Sequence, residues 1–185
     1  MTNSPRIPPL SPDSFTDEQK ALVGDWSTLN FSRVVVQHPD VYRTFIPFLD
    51  KLIRGSNLPA RDREILILRC LILCDETYEA RHHELIARKA AMTDAEIASA
   101  RSGGKGLSVW EQTLTKAAEE LVNDHCVNEE TWQALAQKYS PAQMMEVVFL
   151  VGVYTLMAMV TKSFGITVED GTETFTRLAQ LRQYT

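Results

Sequence analysis

Apolar residues in this chain recur at helical spacing, and no stretch alternates apolar with polar residues as a half-buried strand would. Two blocks depart from simple amphipathicity. Across residues 65–74 every residue is apolar except Arg69. The run falls short of the roughly 20 residues that a bilayer requires, but suits a helix buried on most sides. Leu, Arg, Glu and Ala around it favour helix over strand. Pro59 fits a first helical turn, where its missing N–H is no loss. The second block, residues 144–160, is apolar nearly all round, as in a helix enclosed within a domain or between subunits.

Capping signals divide the rest. Thr16 with Gln19 forms a capping box opening a short helix to about residue 27. Further helices are expected near 30–37 and 40–54, with a break at His38-Pro39 and a stop at Gly55. Asp75 is the expected N-cap of a helix over 76–90. Thr93 with Glu96 opens a short helix ending before the Gly-rich stretch 102–106. That stretch lacks phosphate-loop spacing and reads as a turn. Ser108 with Glu111 opens a helix to about 124, whose inner stripe is Leu114, Ala117, Ala118, Leu121 and Val122. Asn128 caps the next helix, and Ser140 with Gln143 caps the last long one, 141–164, which Gly165 ends.

The chain is therefore all-α. A proline-rich arm with a short helix spans 1–29, a helical domain spans 30–166, and a polar tail spans 167–185 with one short helix near 173–182. Such an arm is expected to be disordered or laid on a neighbouring subunit. One internal echo recurs: Pro59 and Glu64 each precede an apolar run, as do Pro141 and Glu146, at an offset of 82 in both cases. A degenerate duplication is one reading of it.

Composition narrows the function classes. The 185 residues, 44% hydrophobic and 23% charged, suit one domain with a real core. A net charge of -5 without a Lys/Arg cluster argues against nucleic acid as a partner. The N-terminus lacks the layout of a secretory signal and no segment is expected to span a membrane, so a cytoplasmic protein with no membrane partner is expected. Three cysteines, an odd number, fit a reducing compartment. Cys70 and Cys74, one helical turn apart, would make a strained disulfide, and all three thiols are expected to be structural.

Candidate chemistry concentrates just after the first apolar block. Glu76, Glu79 and His83 fall at i, i+3 and i+7, so they share one helix face. Two carboxyls and an imidazole beside an apolar helix can shift one another's proton affinities. The plain alternative is a solvated charged face making ordinary i,i+4 pairs. The same residues with Glu64 offer oxygen and nitrogen metal donors, but the spacing is a weak signal, and neither a metal nor another cofactor is expected.

Residues 58–69, the Cys74-to-His83 segment and residues 139–166, together with His38-Pro39-Asp40 and the helix leading into Ser140-Pro141, resemble the carboxymuconolactone decarboxylase family, whose all-helical fold is that of the alkylhydroperoxidase AhpD. The likeness runs over about 30–166. In the peroxidase branch a Glu is followed twelve residues later by C-x-x-C and then by a His. On the resemblance these fall on Glu64, on Glu76 and Glu79, and on His83, so neither redox cysteine is present. The residue before the second of those positions is Tyr78. Without a low-pKa thiolate and a resolving thiol, thiol-peroxidase chemistry has no means to proceed.

The decarboxylase branch instead moves a double bond as a lactone acid loses CO2. The resemblance thus implies lyase or isomerase chemistry on a small cyclic or unsaturated carboxylic acid or lactone. His83 and Glu79 would be the acid/base pair, Glu64 would orient His83, Glu76 would lie alongside, Tyr78 would donate a hydrogen bond, and Arg69 or Arg81 would anchor the substrate. A binding or structural oligomer without chemistry is the competing reading. Self-association into a homotrimer or homohexamer is implied in either case.

Overall fold

The computed structural model describes residues 4–169, and these are helical throughout, with no strand among them. Nine α-helices follow in order: α1 Asp17–Val23, α2 Asn30–Val35, α3 Pro39–Ile53, α4 Ala60–Leu73, α5 Tyr78–Lys89, α6 Asp94–Arg101, α7 Val109–Asn123, α8 Glu129–Ala136 and α9 Pro141–Phe164. Short 3-10 turns precede α1 and α2. The expected tail helix lies outside the described residues.

The first apolar block is α4, and it is the hub. Ile65, Leu66, Ile67, Cys70 and Leu71 are wholly buried, because α4 is wrapped by α5, α6, α7 and α9. Each fully buried Leu or Ile contributes roughly 1.5–3 kcal/mol of transfer free energy, so this helix anchors the fold. The second block, α9, packs its inner side on α4 and α7, burying Met144, Val147, Leu150, Val151 and Tyr154. By length and composition α9 alone among the described helices could cross a bilayer, but over half of its apolar window is buried in the protein.

The capping boxes at Thr16/Gln19, Thr93/Glu96, Ser108/Glu111 and Ser140/Gln143 all form, and Asn128 caps α8. The α4–α5 corner differs from expectation. Asp75 does not cap α5; it has φ 50° and ends α4 instead. Its N–H donates to the Ile72 carbonyl at 3.1 Å, and the Glu76 N–H donates to the Leu71 carbonyl at 2.9 Å. That pair of bonds is a Schellman closure, with Asp where glycine is usual. The chain then turns sharply, and α5 starts two residues later than its polarity suggests. Its exposed amides are capped by the Glu76 carboxylate, which accepts from the N–H groups of Tyr78, Glu79 and Ala80 at 3.0, 2.8 and 3.2 Å. A negative charge there also complements the helix dipole.

The N-terminal arm lies on its own chain. The N–H groups of Arg6 and Ile7 donate to the Phe164 carbonyl at 2.8 and 3.2 Å, and Leu10 donates to Arg33 at 3.2 Å. Gly165, at φ 70°, lets the arm approach: a Cβ there would stand 3.2 Å from the Pro5 Cα. At the other end Ile166 packs into the apolar cluster of Phe31, Val34, Tyr78 and Met157, and Glu169 is buried. The echo between Pro59 and Pro141 has a partial counterpart, since each opens one of the two central helices. Their glutamates differ: Glu64 is buried, whereas Glu146 accepts from Ser56 Oγ and the Asn57 N–H at 2.8 and 2.7 Å.

The exposed Ala91 closes α5 at φ 60°, a conformation that costs a residue with a Cβ about 1–2 kcal/mol. Ala91→Gly is therefore expected to raise the unfolding free energy by about 0.5–1 kcal/mol, less than the strain because glycine also frees the unfolded chain. Urea denaturation of both proteins checks the sign.

Candidate active site

Three helices and a roof converge on one hollow. α5 supplies Glu79, His82 and His83, α9 supplies Tyr154, and the second turn of α4 sets Glu64 behind them, outside the lining. The wall comes from Ile46, Leu49, Asp50 and Ile53 of α3 with Ile86 and Met157, and the roof from Trp26, Leu29, Phe31 and Ser32. About 60 Å³ inside is open to the centres of water molecules, where one water needs roughly 10–15 Å³. The hollow has room for a few waters or a small organic molecule. Its wall is mostly apolar, and its described lining contains no Lys or Arg.

Behind the wall runs a line of buried polar groups. Glu64 has no exposed surface. One carboxylate oxygen accepts from Arg63 Nε at 3.2 Å, and the other lies 2.6 Å from His83 Nδ1. On the far side of the same ring, Nε2 lies 2.7 Å from the Tyr154 hydroxyl, and the two rings meet edge to face at 4.8 Å. A carboxylate can only accept, so Nδ1 carries the proton, and in the neutral imidazole Nε2 accepts from the Tyr154 O–H. When the imidazole is doubly protonated the last bond reverses: Nε2–H donates to the phenol oxygen, and the Tyr154 O–H becomes a donor toward the hollow. Arg63 is itself buried and donates to the Ile53 carbonyl at 2.8 Å.

Glu79 occupies the same wall one helical turn before His83. It is only 8% exposed, and its carboxyl has no hydrogen-bond partner among the described residues. Burial pushes its pKa up to about 6; His82 and His83 pull against that, while Glu76 and Glu169 add to it. Such a carboxyl exchanges protons near neutrality.

His82 also lines the hollow and faces Glu169, with Nε2 to Oε2 an ionic contact of 3.4 Å. Burial opposes its charge, but Glu169 and Glu79 outweigh that and raise its pKa. Glu169 also accepts from the Asn30 N–H at 2.6 Å and the Tyr78 hydroxyl at 2.7 Å. These hydrogen bonds and His82 overcome its burial and hold its pKa below the usual range.

The expected site residues thus separate. Glu79 and His83 come together at the hollow, with Glu64 bonded to His83 behind its wall. Glu76 and Tyr78 do not line it. Glu76 is committed to the start of α5 and to the Thr161 hydroxyl at 2.9 Å, and Tyr78 points away to Glu169 and the Phe31 N–H. Arg69 does not reach the site either, because it bonds Glu119 at 2.8 Å and the Arg101 carbonyl, tying α4 to α7 and to the end of α6. Arg81 lies on the exposed side of α5, outside the lining.

Residues that sequence reasoning missed are Tyr154, His82, Glu169 and the roof aromatics. Tyr154 had one available signal, a phenol within an otherwise apolar helix. No three metal-ligating side chains converge among the described residues. The cysteines lie outside the lining. Cys70 is buried, its thiol pushed up by its bond to Cys74 and by burial, and Cys74 is correspondingly lowered to about 7.

Residues 39–118 match the Carboxymuconolactone decarboxylase family. Among solved structures the chain is similar to an uncharacterized peroxidase-related protein from Ralstonia eutropha JMP134, described as an alkylhydroperoxidase AhpD core. The TM-score is 0.77 at 16% identity, covering 90% of this chain and 93% of that one. Identity that low establishes a common fold. No curated protein matches the chain. The chain is thus similar to carboxymuconolactone decarboxylase family proteins over residues 39–118 and has an AhpD-like fold.

The raised proton affinity of Glu79 has a stability signature. The folded state holds its proton more tightly than the unfolded chain does, so its contribution to stability falls as pH rises from 4.5 to about 6. His82, also raised, loses its contribution only above 6.5. Glu79→Gln should therefore gain on the wild type by about 2 kcal/mol between pH 4 and 7, at about 1.4 kcal/mol per pKa unit. Paired urea titrations at the two pH values measure this; a constant difference would contradict it.

Proposed function

We propose that the protein is an enzyme of proton transfer, a lyase or isomerase acting on a small cyclic or unsaturated carboxylic acid or lactone. One observation carries this reading: an unpartnered, buried carboxyl at Glu79 shares a mostly apolar hollow with the Glu64–His83–Tyr154 line. Lyase and isomerase reactions of this kind need a base to take a proton and an acid to return one.

In this reading Glu79 is the base. Its affinity near 6 leaves it mainly ionised at neutral pH yet able to hold the proton it removes. Tyr154 is the acid, recharged through His83. When the imidazole is protonated, Nε2–H donates to the phenol oxygen, and Tyr154 O–H gives its proton to the substrate. The His83 proton then moves to the phenolate, and Glu64 steadies the imidazole through Nδ1–H. The apolar wall excludes water and strengthens each charge interaction. With no Lys or Arg in the described lining, a substrate carboxylate would be met by the imidazolium of His82, in place of Arg69 or Arg81.

A thiol peroxidase gains no support here, because the described lining holds no cysteine. Metal or other cofactor assistance forms no part of the proposal.

The test starts with a thermal-shift screen of lactones and unsaturated carboxylic acids, then measures turnover of the compounds that stabilise the fold. Glu79→Gln and Tyr154→Phe should each lower kcat/KM by about 10²-fold or more, within the range for a positioned acid or base. Circular dichroism should remain native. Glu64→Gln should lower kcat and displace its pH profile, since it acts through His83. Binding without turnover, or turnover indifferent to both Glu79→Gln and Tyr154→Phe, would instead make the protein a binding module.

A further inference from the structure

The roof of the hollow carries a hydroxyl that the proton-transfer scheme leaves unused. Ser32 of α2 is only 2% exposed, and it lines the same space as Glu79 and Tyr154. Behind it stands Tyr42 of α3, itself 1% exposed, whose O–H donates to Ser32 Oγ at 3.1 Å. Burial pushes the Tyr42 pKa up, and the Ser32 bond offsets that only in part, so the phenol keeps its proton and remains the donor. A serine hydroxyl has one proton to give and two lone pairs to accept with. Tyr42 takes up a lone pair and leaves the Ser32 proton uncommitted. No acceptor for it occurs among the described residues.

A buried donor without an acceptor is costly, and this one borders open space. The proton is therefore served by whatever fills the hollow. Donation from Tyr42 also polarises the Ser32 O–H and strengthens the bond it makes onward. A bond whose sole task was to tie α2 to α3 would not need its serine in the lining.

The chemistry has a use for such a donor. When Glu79 removes a proton from the carbon beside a carbonyl, the C–H electron pair forms a new C=C bond. The carbonyl π pair moves onto oxygen, and an enolate results. Donors already aimed at that oxygen lower the barrier. In the reading above Tyr154 serves the carbon that is reprotonated, and His82 serves the substrate carboxylate. Asp50 and ionised Glu79, which also line the hollow, can only accept.

We propose that Ser32 is the oxyanion donor of this site, its Oγ–H meeting the carbonyl oxygen of a bound acid or lactone. Tyr42 is a positioning residue that acts through it. As the second carbon takes the Tyr154 proton, the oxygen pair returns to the carbonyl, so no proton leaves Ser32. The catalytic part of this role rests on the proton-transfer reading; recognition of a carbonyl oxygen does not.

Calorimetric titration of the full chain with two probes separates them. One is γ-butyrolactone carboxylic acid; the other is tetrahydrofuran carboxylic acid, the same ring without the carbonyl oxygen. The wild type should bind the lactone acid about tenfold more tightly, as one hydrogen bond to a buried donor provides. Ser32→Ala should erase that preference while affinity for the ether acid stays, and Ser32→Thr, which keeps the hydroxyl, should retain part of it. Tyr42→Phe should weaken the preference without abolishing it, and it stands in if thermal melts show Ser32→Ala unfolded. On a compound that is turned over, Ser32→Ala should lower kcat by about 10²-fold with KM little changed. A wild type that binds neither probe or both alike, or a Ser32→Ala protein that loses affinity equally for both, would overturn the role of Ser32. Carbonyl-dependent binding with no turnover of any acid would leave Ser32 as a recognition group and remove the proton-transfer reading alone.

Discussion

A carboxylate without exposed surface is an expensive thing to keep inside a helical protein. Stripped of partners, a buried ion of this kind costs several kcal/mol. Glu64 is kept there by Arg63 on one oxygen and His83 on the other, so α4 and α5 are locked in register by charge as well as by apolar contact. His83 is thereby fixed in orientation, and through its second nitrogen so is the phenol of Tyr154 on α9. The three helices that meet at this line include both apolar blocks, α4 and α9. The same bonds that satisfy Glu64 fix the His83 imidazole and the Tyr154 phenol at the edge of the hollow. Removing the Glu64 charge would therefore loosen the helix packing and disorient the chemistry together.

Glu79 shows the opposite design. It accepts no hydrogen bond and has no close cation at salt-bridge distance among the described residues, and burial holds its proton affinity above the ordinary carboxyl range. Glu76, three residues earlier, accepts three backbone N–H groups at the start of the same helix. Two glutamates three residues apart thus have different tasks, and their hydrogen bonds separate them. On the reading proposed above, one is spent on architecture so that the other is free to react.

Much of the fold was legible because its signals are local. Each capping box joins residues three apart, so Thr93 with Glu96 or Ser140 with Gln143 states a helix start without tertiary information. The two apolar blocks likewise announce the central helices. The α4–α5 corner was not legible, because Asp75 occupies a left-handed conformation usually given to glycine, and an acidic residue there resembles an N-cap. In the site, Glu64, Glu79 and His83 were readable from helix spacing and family likeness. Tyr154 was not, since 71 residues separate it from His83. Glu169 sits in a stretch whose polarity reads as a solvated tail. Arg69 resembled a substrate anchor until its partner Glu119, 50 residues away, was brought beside it.

Glu169 has a consequence beyond its own burial. It grips the first amide of α2 while His82, its ionic partner, forms part of the wall beneath. The backbone carbonyl of Thr167 holds the Asn30 side chain at 2.9 Å, so two consecutive links pin the segment over the hollow. Any displacement of Asn30 would break the bonds its N–H and side chain make to Glu169 and Thr167. The enclosure is therefore fastened by residues 167–169. Protonation of Glu169 would weaken that fastening, because only its ionised form is an ionic partner of His82.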